Sequence, residues 1–189
     1  GPEAFRAMLD GFHQMDEHYR TAPWTENVPA LMGLLALWYR DFLDAQTHAV
    51  VPYAQVLGKL PSYLQQLEME SNGKSVDISG APMSVPTGEI VWGTAGTNGQ
   101  HAYFQLLHQG NTLVPIDFVG FVHGQPGLEL PGHQRLLVSN LLAQAGDNSR
   151  NFGSTIQMKG IWADRLRTRR RGWKDQVGSR DLSLIHISE

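Results

Sequence analysis

The chain has 189 residues and a mass of 21.0 kDa, with 41% hydrophobic and 17% charged residues and a formal net charge of −3. That size and balance fit one ordinary globular domain rather than a disordered segment. No window of about 18 uninterrupted apolar residues exists, which excludes a helical membrane span, and the lack of any cysteine excludes disulfides, thiolate nucleophiles and cysteine metal sites.

Residues 2–19 predict an amphipathic helix, with Phe5, Met8, Leu9, Phe12 and Met15 at helical spacing and Asp10, Asp16, Glu17 and Arg20 on a wet face. Thr21 to Pro29 reads as a connection. A second helix is expected over 28–42. It is apolar on nearly every side (Leu31, Met32, Leu34, Leu35, Leu37, Trp38), the pattern of a helix buried on most faces. Thr47 to Val51 predicts a short buried strand closed by Pro52. Helical spacing returns over 54–70, with Pro61 marking a boundary or kink and Ser71-Asn72-Gly73-Lys74 ending the helix.

Residues 75–88 are rich in turn formers. Glu89 to Trp92 predicts a second strand, followed by Gly93-Thr94-Ala95-Gly96 and a helix from Thr97 or Asn98 to Gln109. Thr97 and Gln100 are spaced for a capping box, and Gly110 suits the position just past the helix end. Leu113 to Phe121 predicts a third strand interrupted by Pro115. A Gly/Pro loop is expected over 122–132 and a further helix over 133–144. Strands alternating with helices argue an α/β fold with a mainly parallel sheet.

The charge is unevenly placed. Residues 1–144 hold 6 Lys+Arg against 13 Asp+Glu, whereas residues 145–189 hold 9 against 5. Periodicity fades after Gln144, and the run Arg165 to Arg171 reads as a solvated tail. A nucleic-acid-binding role would rest wholly on that tail and is not expected. Asp181 to Glu189 resembles translated adapter sequence, so the natural reading frame is expected to be lost soon after Gln144. The opening residues show no signal-peptide succession, and Gly1 in place of methionine predicts that the natural start lies upstream. The lack of cysteine makes a reducing compartment, the cytoplasm, the expected location.

Two constellations carry chemistry. Gln66 and Glu70, at i and i+4, project from one face of the predicted helix, and Glu70 ends it beside a glycine turn. A partly desolvated carboxylate there is a candidate general base. The bland alternative is a solvent-facing Glu70 paired with Lys74. The second constellation is Gly93 to His101, a Gly-rich turn leading into a helix N-terminus. Free N–H groups there favour anions or sugar oxygens. His101, expected in the first helical turn, would be kept neutral by the helix dipole and serve as an acid–base group. The alternative is a tight turn with a packed histidine, since the glycines match neither GxGxxG nor a P-loop. His101 and His108 lie seven apart on one expected face, but no third ligand completes a metal set, so no metal is expected. His13 and His18 read as surface residues and His48 as structural.

Leu67-Glu-Met-Glu-Ser-Asn-Gly-Lys74, Gly96-Thr-Asn-Gly-Gln-His-Ala-Tyr-Phe-Gln-Leu-Leu-His-Gln-Gly110, Met15-Asp-Glu-His-Tyr-Arg-Thr-Ala-Pro23 and Thr47-His-Ala-Val-Val-Pro-Tyr53 resemble the glucose-6-phosphate isomerase family, in family order and spacing from about residue 2 to Gln144. The resemblance implies a sugar isomerase (SIS) fold, a three-layer αβα sandwich with a mainly parallel sheet, here incomplete. Residues 1–144 would form a partial SIS domain and residues 145–189 would lie outside it. It implies aldose–ketose conversion of glucose 6-phosphate to fructose 6-phosphate through a cis-enediol, in glycolysis and gluconeogenesis, with no metal or organic cofactor.

By motif position Glu70 matches the base, Gln66 a substrate-contacting residue, and His101 the histidine assisting ring opening. In the family that histidine reaches into the partner's site of a homodimer. No nucleic-acid or membrane partner is implied. Thr94 and Ala95 stand where the family often has Glu-Pro. The family's first SIS domain, its Gly-Gly-Arg motif and its Asp-Gln-Trp-Gly segment are absent from these residues, so the chain is expected to be a central fragment with little activity of its own. The competing class is a noncatalytic SIS module that binds sugar phosphates, which would need no acid–base pair.

Overall fold

The computed structural model describes residues 1–121, 132–151 and 182–186. The Gly/Pro loop up to Pro131 and the run Arg165 to Arg171 lie outside the described residues. The chain divides into two compact units, Gly1–Asp44 and Ala45–Glu189.

The first unit is helical. Helix α1 (Pro2–Thr21) begins with proline in its first turn and Glu3 beside it, both suited to a helix start. Asn27 caps α2 (Val28–Leu37). Its Oδ1 accepts from the Ala30 amide at 3.2 Å while its Nδ2 donates to the Tyr19 carbonyl at 2.7 Å, tying the two helices together. His18 is half-buried rather than on the surface, because its Nε2 accepts the Val28 amide at 3.1 Å.

The expected helix over 28–42 changes geometry at Trp38 into a π-helical turn, Trp38–Phe42, and the chain leaves it through Asp44 at φ 56°. The expectation that this helix is buried on most faces is not met. No α2 side chain is buried, and Leu34, Leu37, Trp38 and Phe42 are each more than half exposed. Within this unit α1 is the one long partner helix, and a single neighbour covers only one stripe of an all-apolar helix.

The second unit is built on a sheet. Strands β1 (Thr47–Tyr53), β2 (Ile90–Trp92) and β3 (Ile116–Phe121) are parallel, with β1 in the middle, and β4 (Leu182–His186) adds an antiparallel edge beside β3. Side chains alternate across the sheet. Val50 of β1, Val91 and Val119 face α3 (Leu60–Asn72) through Leu60 and Leu64. Val51, Tyr53 and Phe118 face α5 (Phe104–Gln109) and α6 (His133–Asn151) through Phe104, Leu107 and Leu141. Helices on both faces of a parallel sheet are the αβα layering expected from the sequence. The last helix runs on past Gln144 to Asn151, farther than its periodicity indicates.

Pro52 does not close β1, which continues to Tyr53. The Ala49 amide donates to the Pro115 carbonyl at 2.9 Å, so odd-numbered residues of β1 turn their amides toward β3 and even-numbered ones toward β2. Pairing with β2 ends at Ala49 and Trp92. The missing N–H of Pro52 therefore falls where no ladder partner needs it.

One charged cluster spans the three parallel strands. The His48 imidazole lies 2.7 Å from Glu89 Oε1 through Nδ1 and 3.1 Å from Asp117 Oδ2 through Nε2. Burial alone would lower the His48 pKa, but hydrogen bonds and charge from Asp117 and Glu89 outweigh it and raise the group to about 10. A raised folded-state pKa stabilises fully below the ordinary value of about 6.5, and that contribution is lost as pH rises from there through about 10. His48→Gln should therefore destabilise the fold by about 3 kcal/mol near neutral pH, since it leaves two carboxylates facing each other. Urea melts at pH 6 and pH 10 should show the gap between the two proteins closing at the higher pH.

Candidate functional site

Pro61 sits in the first turn of α3, where its missing N–H costs nothing, and Gly73 caps the other end. The Gly73 amide donates to the Met69 carbonyl at 3.2 Å and Lys74 Nζ donates to the Glu70 carbonyl at 2.6 Å. Lys74 thus serves the backbone of Glu70 and leaves its carboxylate to another partner: Gln66 Nε2 donates to Glu70 Oε2 at 3.2 Å, and both side chains are exposed.

The residues that follow form an ordered strap. The Thr87 hydroxyl accepts the Lys74 amide at 3.2 Å and also donates to the Lys74 carbonyl. Gly88 packs on the backbone of Asn72 and Gly73, where a Cβ would sit 3.1 Å from the Asn72 carbonyl carbon. The Asp77 carboxylate accepts from the Ser79 hydroxyl and from the Ser79 and Ala81 amides, which hold its pKa below the ordinary carboxylate value.

The Gly-rich turn differs from expectation. One helix over 97–109 is replaced by α4 (Gly96–Gly99) and α5, joined by a turn over Gln100 to Tyr103. The capping box does not form. Ala95 is the N-cap residue with no side-chain bond, and Gln100 Nε2 donates instead to the Tyr53 hydroxyl at 2.9 Å.

The break has a tertiary cause. Gly96 lies on the Tyr53 ring, where a Cβ would come within 2.1 Å, and Gly99 lies 2.7 Å by the same measure from the Tyr103 hydroxyl. That hydroxyl also accepts the Thr94 amide at 3.1 Å. His101 is exposed in the turn after α4, its amide donating to the Asn98 carbonyl at 3.1 Å. It is therefore not in a first helical turn, and the dipole argument for it lapses. His108 is turned elsewhere, 2.8 Å from the Gln144 side chain and edge-on to Phe104.

The structure brings Gln66 and Glu70 together but sets His101 of the same chain apart from them. Helix α3 returns antiparallel to the strands, so Glu70 lies near their amino edge, where Gly88 precedes β2. His101 follows the carboxyl end of β2 and neighbours Tyr53 at the carboxyl end of β1 through Gln100. At about 3.3 Å of rise per residue the two edges are on the order of 20 Å apart.

Sequence reasoning missed the His48, Glu89 and Asp117 cluster and the roles of Tyr53, Gln100 and Tyr103. The signal available was one charged residue at or just before each of three short apolar strands. Strand register is needed to bring them together.

A protein-family model, phosphoglucose isomerase, matches residues 1–156. Glucose-6-phosphate isomerase of Frankia casuarinae is 54% identical over 173 residues, covering 87% of this chain and 31% of that protein. Its counterpart in Corynebacterium kroppenstedtii is 59% identical over 150 residues, covering 76% of this chain and 27% of that protein. Among solved structures, a glucose-6-phosphate isomerase from Chlamydia trachomatis superposes with a TM-score of 0.71 at 43% identity, over 78% of this chain and 29% of that one. The chain thus spans under a third of the length of these relatives. With a family match over residues 1–156 and relatives more than half identical across most of its length, the chain belongs to the phosphoglucose isomerase family.

Proposed function

We propose that this chain carries the proton-transfer and ring-opening residues of a glucose-6-phosphate isomerase, interconverting glucose 6-phosphate and fructose 6-phosphate in glycolysis and gluconeogenesis. Glu70 is the base. It takes the proton from C2 of the open-chain aldose and returns it to C1, while O1 gains a proton and O2 loses one through the cis-enediol. Carbonyl and hydroxyl change places within one molecule, so the step needs no external electron acceptor. Gln66 holds the Glu70 carboxylate and contacts substrate, and His101 moves the proton that opens the ring.

The observation that carries this reading is the Gln66–Glu70 pair on the last turns of α3, backed by Lys74 and Thr87. It lies in a chain 54% identical to a named isomerase. The distance between Glu70 and His101 supports a homodimer in which each site takes its histidine from the second chain. We assign the chemistry to residues 1–144 and the location to the cytoplasm.

The test is an assay of the complete protein on glucose 6-phosphate with chelator present. Fructose 6-phosphate should form, and the 189-residue chain alone should give little or none. Tight binding of the sugar phosphate by the complete protein without conversion would overturn the enzymatic reading in favour of a binding module.

A further inference from the structure

His101 makes no side-chain hydrogen bond among the described residues, so its place is set by the backbone that carries it. That backbone rests on two rings. The Tyr53 hydroxyl accepts from the side chain of Gln100, the residue just before His101, at 2.9 Å. Tyr103, two residues after it, accepts the Thr94 amide at 3.1 Å and stands edge-on to Trp92 with ring centroids 4.7 Å apart. Gly96 and Gly99 close directly on these rings, with no room for a Cβ at either position. Tyr53 itself is 2% exposed and is the last residue of β1, whose backbone pairs with both neighbouring strands.

We infer that Tyr53 is a positioning residue for His101, acting through Gln100 to hold the turn in which His101 sits. The inference rests on the reading that His101 takes part in ring opening. The stretch leading from β2 into that turn carries glycines at 93, 96 and 99, which leave its backbone more conformational freedom than other residues would. The hydrogen bond on Gln100 removes that freedom one residue from the imidazole, and the neighbouring ring of Tyr103 holds the start of the turn at Thr94. Burial raises the Tyr53 pKa to about 12, which keeps the hydroxyl protonated across the working pH range. A proton-transfer group loses rate when its placement loosens, even where substrate affinity is kept.

The experiment is a double-mutant cycle in the complete isomerase that contains these residues. Tyr53→Phe keeps the ring under Gly96 and removes only the acceptor. It should lower kcat on glucose 6-phosphate about fivefold with KM within about twofold. Gln100→Met removes the donor from the other side and should give the same loss. In a His101→Asn background, Tyr53→Phe should add no further loss, because its effect passes through the histidine. An unchanged kcat in both single variants overturns the inference, as does a loss that persists undiminished without His101. If His101→Asn itself leaves kcat unchanged, the ring-opening assignment is what fails, and the inference falls with it.

Discussion

Glu70→Gln should lower turnover of the complete isomerase by about a thousandfold while leaving the fold in place. The substitution keeps size and shape and removes the one property a base needs, an oxygen that can take up a proton and release it. Its surroundings are indifferent to the change. Gln66 donates to Oε2 of Glu70, and a carboxamide oxygen accepts the same bond. Lys74 donates to the backbone carbonyl of Glu70, which is untouched, and the Gly73 cap bonds to Met69. No buried charge is created or orphaned, because the side chain is exposed. Stability should move by less than about 0.5 kcal/mol. Rate loss without unfolding, read from initial velocities and a urea melt on the same sample, would separate a base from a surface carboxylate. Near-normal turnover would return Glu70 to the bland alternative.

Gly93→Ala should have the largest effect on stability, a loss of more than about 3 kcal/mol. Gly93 follows β2 at φ +148°, a backbone conformation that side chains disfavour, and an added Cβ would lie 2.0 Å from the Val50 carbonyl oxygen of β1. Val50 is 3% exposed and belongs to the central strand, so the obstacle is backbone with packing on both faces and little room to yield. Relief requires parting β1 from the chain beyond β2, at the start of the turn that carries His101. Gly11→Ala is the matching control, in α1 with nothing within 4 Å of the added carbon. It should be neutral or gain up to about 1 kcal/mol from helix propensity. Equal melting midpoints for the two variants would contradict the close approach at Gly93.

The parts of this fold that periodicity specifies are the parts legible in the sequence. Helix α1, the body of α3 and the three parallel strands follow from spacing and from turn residues such as Gly73, because those signals act within a few residues. The helix expected over 54–70 begins only at Leu60, beside the boundary that Pro61 marks, and is preceded by a 3-10 turn over Gln55–Leu57. The misread elements have distant causes. Pro52 reads as a strand end by a local rule, yet its missing amide points past the last residue of β2, which only the register reveals. The helix expected over 97–109 is broken because Gly96 and Gly99 close on Tyr53 and Tyr103 and because Gln100 is drawn to Tyr53, 47 residues away. The reading of His48 as structural holds, but its partner Glu89 lies 41 residues along the chain, so the ion-pair cluster that gives it that role is invisible before folding. In the candidate site, the spacing of Gln66 and Glu70 is enough to place them on one face. The separation of Glu70 from His101 is a property of the topology, since a helix returning between parallel strands puts its end at the opposite edge from the turn that follows β2.

The most direct test of the isomerase reading is deuterium uptake from heavy water into the sugar phosphate during turnover by the complete protein. A proton held between C1 and C2 on an exposed carboxylate exchanges with solvent in a fraction of turnovers. Deuterium should therefore accumulate at C2 of glucose 6-phosphate and C1 of fructose 6-phosphate as the two interconvert, and Glu70→Gln should stop both interconversion and exchange. Interconversion over many turnovers with no deuterium at either carbon would contradict proton transfer by Glu70 and require a direct hydride shift instead.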